Sequence, residues 1–315
     1  MPALVHPTSE RWLLRLLVLL TGVALCGSTA VAQRSDAEAT GAALPFGIGE
    51  RLSYVVSTSH FGKVGHAVMA LDGPAEVRGV PTLVASFTTR IKVVLMTASN
   101  ESRSWIDPIR MTSLRFAKHE HRPFSSVNDS VEIFPALHHW ASAQGDSGIA
   151  QSDAPLDELS FIYFLRTTSF APDSTYAFDR HYDTRRNPTT VRVVKRETLH
   201  TPAGTFETVE LEMRVRDRTS YKGEGVLHLW ISEDRCHLPV RMESVLPVLG
   251  TGILTLESAV TPACLGRAAP FAPPARMSYA PHSPASVSDC ALLLCPAAFS
   301  IGGTSGSETK LCQPS

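Results

Sequence analysis

The sequence predicts an all-β protein, a curved antiparallel sheet or incomplete β-barrel of roughly ten strands with one buried helix at about 155–167. Three observations point there. Apolar residues recur at every second position in segment after segment, as in Val209, Leu211, Met213 and Val215 set against Glu210, Glu212, Arg214 and Arg216. That is the period-two pattern of a half-buried strand. Glycine and proline punctuate the chain between these segments, where reversals of direction need them. A single stretch, Pro155 to Thr167, is apolar and carries helical start and stop chemistry.

The N-terminus reads as a signal peptide, residues 1–32. Arg11 and Arg15 precede an apolar run from Leu16 to Cys26, and Ala30-Val31-Ala32 places small side chains before an expected cleavage ahead of Gln33. The run is shorter than the ~20 residues that span a bilayer. Leu25 is too bulky a neighbour for a lipidated Cys26, and no twin-arginine pair precedes the run. The expected address is the bacterial envelope, periplasmic or extracellular. Residues 33–44 follow as a mobile leader without periodicity.

A single β domain is expected over 45–265. Leu52, Tyr54 and Val56 alternate with polar residues, Gly62 to Gly65 turns the chain, and His66 to Leu71 completes a first hairpin. Leu83, Ala85, Phe87, Thr89, Ile91, Val93 and Leu95 then hold one alternation for about thirteen residues, a length suited to a curved sheet. Shorter candidates follow at Ser102–Ile106, Thr112–His119, Ser126–Phe134 and His138–Ser142. In the helical stretch Pro155 suits a first turn, Asp157 and Glu158 suit the positive end of the dipole and Arg166 the negative end. Its apolar residues cover every face, so the helix should be buried against the sheet. Strands resume at Thr175–Tyr182, Val191–Glu197, Thr205–Arg216, Gly225–Ser232, Leu238–Val245 and Gly252–Val260. Residues 266–315, rich in Pro, Ser and Ala, read as a disordered tail whose apolar run from Ala291 to Cys295 is too short to span a membrane.

Four elements occur in a fixed order: Phe46-Gly47-Ile48-Gly49-Glu50-Arg51-Leu52-Ser53-Tyr54, Leu156 through Arg166, Thr201-Pro202-Ala203-Gly204-Thr205-Phe206, and Leu229-Trp230-Ile231-Ser232-Glu233-Asp234 followed by Leu238-Pro239-Val240-Arg241. Together they make a chain that resembles the exported bacterial β-proteins grouped as domain of unknown function three-one-zero-eight. The resemblance implies kinship with periplasmic lipoprotein carriers, whose curved sheet wraps an apolar groove closed by helices. It implies no catalytic residues, and it leaves the Cys-bearing tail unexplained.

With Cys26 removed, five cysteines remain in an oxidising compartment. If the strands before and after Asp234 run antiparallel and Gly252–Val260 returns alongside, Cys264 lands beside Cys236, and the two should form a disulfide. Cys290 and Cys295 could pair, leaving Cys312 spare. His119 and His121 flank Glu120 on one strand face and are the only residues with metal-ligand spacing, with His138 or His139 as a third donor. So polar a segment, Lys118 to Arg122, is explained as well by a solvated strand end. No nucleophile elbow, phosphate loop or dinucleotide fingerprint is present. Trp230, His228 and Val226 share one face of their strand and Leu227, Leu229 and Ile231 the other. One of these faces must meet a core, and the second is expected against the helix, an acyl chain or another protein.

Twenty-nine basic residues against thirty acidic ones give a formal net charge of −1, which supplies no footprint for nucleic acid. The sequence therefore points to a non-enzymatic envelope protein without a cofactor that binds a lipid or a lipidated partner on the concave face, lined by Leu52, Tyr54, Phe87 and Ile91. A membrane surface is compatible as a contact but not as a span. The alternatives are an envelope scaffold or protein-interaction module with a filled core and, behind it, a hydrolase or metal enzyme.

Overall fold

The computed structural model describes residues 44–122, 125–217, 223–246 and 250–264. The expected signal peptide with Cys26, the leader up to 43, and the tail with Cys290, Cys295 and Cys312 lie outside the described residues.

The chain is all-β and antiparallel, as the alternations predict. A first meander runs through β1 (Glu50–Thr58), β2 (Gly62–Val77), β3 (Val80–Val93), β4 (Met96–Asp107), β5 (Thr112–Arg122), β6 (Ser125–Phe134), β7 (His139–Ser142) and β8 (Ser147–Ile149). After the helix α1 (Glu158–Leu165), a second meander runs through β9 (Thr175–Phe178), β10 (Thr189–Thr201), β11 (Gly204–Asp217), β12 (Gly223–Ser232), β13 (Pro239–Leu246) and β14 (Gly250–Val260). The last strand returns to pair with β1, so one 14-stranded sheet reads β8 through β1, then β14 back to β9. Roughly ten strands were expected; β7 and β9 fall on the candidates at His138–Ser142 and Thr175–Tyr182, whereas β8, three residues long, had no candidate because so short a run shows no alternation.

Two expected boundaries are corrected. The alternation from Leu83 to Leu95 is one strand as far as Val93, where β3 ends. It breaks at Val94, whose φ of 55° starts a tight turn into β4. The helix is also shorter than 155–167. Asp157 is its N-cap and Arg166 its C-cap, because Pro155 is engaged elsewhere: its carbonyl accepts from Ser113 N (2.8 Å) and Thr112 Oγ1 (2.9 Å). Leu156 N then donates to Arg180 O (2.6 Å) and Tyr182 N to Leu156 O (3.0 Å). This stitch joins the start of β5 to the chain leaving β9, so the sheet curls around the helix. Trp140 and Tyr182 meet edge to face across the same seam, ring centres 5.4 Å apart, in a small cluster with Val131, Ile133 and Ala150.

One end of the sheet is its base, carrying Glu50, Asp107 and the turn at 233–238; the other, with the tips at 59–61 and 94–95, is its rim. The base holds the tightest packing. Leu52, Tyr54, Leu71, Leu156, Tyr163 and Leu165 are fully buried there in the main core. Among the described residues Arg166 is the largest fully buried side chain, 0% exposed. It grips Glu50 through Nη1 (2.6 Å to Oε1) and Nη2 (2.8 Å to Oε2). Its Nε donates to His237 O (2.9 Å) and Nη2 to Cys236 O (3.0 Å). Phe46 and Tyr163 cover the guanidinium, ring centres 4.9 and 5.2 Å away. Burial alone would lower the Arg166 pKa, but the Glu50 carboxylate outweighs it and holds the charge firmly. Cys236 is bonded to Cys264, Cα atoms 5.2 Å apart, which fastens the chain after β14 to the same turn.

Arg166→Ala is expected to lower stability in urea unfolding by about 3–5 kcal/mol, because Glu50 is left as a buried unpaired charge. Arg166→Met combined with Glu50→Leu should recover part of that loss, the remainder reflecting the orphaned carbonyls of Cys236 and His237. A double variant as weak as Arg166→Ala would contradict the charge-burial explanation. Replacing Cys236 and Cys264 together by alanine should remove ~2–4 kcal/mol, since the bond closes a long loop of the unfolded chain.

Candidate functional site

Register carries the candidate site from strand to strand. Residues directly opposite in adjacent strands point to the same face. One continuous row therefore crosses nine strands: Ala98, Ile91, Gly65, Val56, Leu254, Met242, Leu229, Leu211 and Val193. Every member is apolar or glycine. A second row nearer the rim reads Thr58, Gly252, Ser244, Leu227, Met213, Val191 and Tyr176. Both lie on the concave side, which the helix covers only toward the base. Gly65 is required in its row because a Cβ there would strike the carbonyl of Arg90 on β3.

Exposure within each row decides what each residue can do. Val56, Met242, Leu229, Leu211 and Val193 are buried in the core, whereas Phe87, Ile91, Leu227 and Leu254 pack against it while only partly buried. The four residues expected to line a groove therefore separate. Leu52 and Tyr54 are 0% exposed, Tyr54 donating through its hydroxyl to Pro239 O (2.9 Å); they belong to the packed base. Phe87 shares the row of Leu52 through Met69 but is only partly buried, and Ile91 lies one row beyond that of Tyr54 toward the rim.

The concave face has a second, polar wall. Phe87 lies opposite Ser102 and Ser102 opposite Lys118; Thr89 lies opposite Asn100 and Asn100 opposite Glu120. Asp129 faces Lys118 on β6. Lys118 Nζ approaches Glu120 Oε2 at 3.2 Å, and Arg122 Nε donates to Glu120 Oε1 at 2.8 Å. Burial works against the ionised carboxylate, yet these two cations hold the Glu120 pKa below its ordinary value. For Asp129 the balance is reversed: burial, aided by the nearby Glu158, raises its pKa. The paired strands β4, β5 and β6 thus offer uncharged polar groups from Ser102 and Asn100 and ionisable ones from Lys118, Glu120, Arg122 and Asp129, where the other wall offers hydrocarbon.

Under these walls the helix N-terminus is held by Asp157. Its carboxylate accepts from Leu159 N (2.8 Å) and Ser160 N (2.9 Å), and from the hydroxyls of Ser104 (2.6 Å) on β4 and Ser113 on β5. Burial raises its pKa, and the two serine hydroxyls offset that only in part. Beside it His181 accepts from Asp183 N through Nδ1 (3.0 Å), so a neutral His181 carries its proton on Nε2, 3.8 Å from Glu158 Oε1. The Glu158 side chain is partly exposed, and His181 and then Arg186 hold its carboxyl well below its usual range. Sequence reasoning missed this cluster because His181, Glu158 and Arg186 share no motif spacing.

His119 and His121 are exposed on β5 toward the rim. His138 and His139 follow β6 at the opposite end, where His138 Nδ1 lies 3.2 Å from Ala150 O and His139 stacks on Phe134. Among the described residues no group of three His, Cys, Asp or Glu side chains is arranged to hold a metal ion. The Trp230 face is the outer face of its strand and does not meet the helix. It floors a shallow groove of about 420 Å³ with Lys195, Glu197, Glu210, His228, Arg241 and Glu243. Trp230 Nε1 donates to Glu197 Oε1 (2.8 Å), and Arg241 lies 5.4 Å over its ring. These charges satisfy one another, which is how a mostly buried tryptophan is accommodated on a solvent side.

Fold and site define an all-β protein whose antiparallel sheet curls around one plugging helix and keeps a two-walled concave face. The chain belongs to the family described as Protein of unknown function (DUF3108), which matches residues 53–257. No curated protein matches it. Among solved structures it is similar to a β-barrel-like protein of domain of unknown function DUF1849 from Brucella abortus, at 12% identity over 70% of this chain and 99% of that one, TM-score 0.48. It is also similar to a candidate lipoprotein from Parabacteroides distasonis (11% identity, 69% of this chain and 99% of that one, TM-score 0.27). A third is an exported protein with a YmcC-like fold from Bacteroides fragilis (13% identity, 70% and 100% covered, TM-score 0.27).

The raised Asp157 pKa sets a pH dependence. A carboxyl bound more tightly to its proton when folded contributes its stability in full below the ordinary value of 3.8 and loses it as pH rises through the folded value. Relative to Asp157→Asn, the unfolding free energy of the wild type should fall as pH rises from below 3.8 across the carboxylate range. A difference that stays flat with pH would contradict the burial assigned to Asp157.

Proposed function

We propose that the protein is a non-catalytic carrier, acting in the cell envelope, that binds an amphiphile on its concave face. The observation that carries this reading is the pairing of two unlike walls. Hydrocarbon is offered by the partly buried Ile91, Phe87, Leu254 and Leu227, and fixed charge by Lys118, Glu120 and Arg122 on β5. An acyl chain laid along the first wall removes its remaining apolar surface from water, at roughly 25 cal/mol per Å². A polar headgroup then meets the second wall without burying an unpaired charge. The reading as a binder is supported by the way the carboxylates around the helix are committed. Asp157 caps the helix and Glu120 is held by two cations. The envelope address rests on the signal-like N-terminus of the sequence.

Displacement of a fluorescent fatty acid, with native mass spectrometry of the purified full chain, tests this reading. Ile91→Asp and Leu227→Asp should each weaken binding about tenfold or more, the order expected when a charge replaces an apolar contact. Lys195→Ala on the outer face should leave it unchanged. A protein that carries no lipid after purification and displaces no probe would refute the carrier reading.

A further inference from the structure

The rim carries the wrong residues for a solvated edge. Tight turns favour glycine, asparagine and aspartate, yet the tip between β3 and β4 is Val94-Leu95. Val94 adopts φ 55°, a left-handed conformation strained for a β-branched side chain. Val94 is 75% and Leu95 93% exposed, and next to them Met96 is 45% exposed. Phe61 on the neighbouring tip is 47% exposed, and Val245 on β13 66%. These tips are adjacent in the sheet: Ser59 N donates to Thr251 O (3.0 Å), which sets the tip of β1 and β2 beside the start of β14. Charge on the rim-side stretches of β1 to β4 is one-sided. No acidic residue occurs at 51–71 or at 77–100, while Lys63, Arg90 and Lys92 are exposed there.

We propose that this rim docks on an anionic lipid bilayer, with Phe61, Val94 and Leu95 seated among the headgroups and Lys63, Arg90 and Lys92 against lipid phosphates. Apolar insertion and basic charge are each weak anchors alone and act together at an interface. The charge asymmetry selects a bilayer over a second copy of the chain, whose rim would repel this one. Ile91 stands three residues from Val94 on β3, so docking turns the concave mouth toward the lipid. The docking surface itself stands on the tips and charges, and only its use for loading the mouth rests on the carrier reading.

Vesicle sedimentation of the full chain separates the two. The protein should sediment with vesicles of phosphatidylglycerol and phosphatidylethanolamine at low ionic strength, and much less with phosphatidylcholine. Arg90→Glu combined with Lys92→Glu should lower the partition coefficient at least tenfold, since each cation near such a surface is worth about fivefold. Leu95→Trp should show blue-shifted emission on the anionic vesicles, which a loss of folding could not produce. Partition unchanged by the charge reversal, no emission shift at position 95, or no sedimentation with anionic vesicles would each overturn the docking. In all three cases fatty-acid displacement in vesicle-free solution would still report on the carrier reading independently.

Discussion

The buried contact of Arg166 with Glu50 organises the molecule. Its two charges are 0% and 1% exposed, and they lie 116 positions apart in the chain. A guanidinium is suited to this place because its planar fork satisfies one carboxylate and two carbonyls at once. The chain entering β1, the end of the helix and the turn between β12 and β13 thereby meet at one point. The disulfide from Cys236 brings the end of β14 to the same place. Both meanders are therefore fixed where β1 and β14 pair, and the curled sheet needs only the stitch at Leu156 to close its far side.

A base so heavily fastened leaves the rim free to differ. The helix spans eight residues, about 12 Å at the usual rise, whereas β2, β3 and β11 run fourteen to sixteen residues, enough for roughly 45–54 Å. One short plug cannot fill a sheet of that height. The inner rows above it accordingly mix buried residues such as Val56, Leu229 and Val191 with partly buried apolar ones such as Ile91, Leu254 and Leu227 and small ones such as Gly65, Ala98 and Gly252, and the polar residues of β4 to β6 complete the surround. The same economy explains the outer face, where ladders of opposite charge, with Trp230 beneath them, cover strands that bury only their inner side.

Much of this was legible in the sequence because alternation reports faces directly. The all-β class, the central strands and the pairing of Cys236 with Cys264 follow from strand direction and local turns. Alternation does not report depth, so Leu52 and Tyr54 could not be told from Phe87 and Ile91 before the helix was placed over the base. Arg166 looked like a cation complementing a helix dipole, since nothing local announces a partner as distant as Glu50. The end of β3 was misjudged because Val94 and Leu95 continue the apolar pattern through a turn that has none of the usual turn residues.

The central claim is that a locked base and an open, two-walled upper half divide the molecule. Hydrogen exchange read by mass spectrometry, with and without a bound fatty acid, tests it most directly. Amides around Asp157 to Arg166 and the turn at 233–238 should be the slowest to exchange and indifferent to ligand. Protection gained on binding should map to the upper parts of β3, β12 and β14, around Ile91, Leu227 and Leu254. Fast exchange at the base, or protection gained there instead of in the upper strands, would contradict the account.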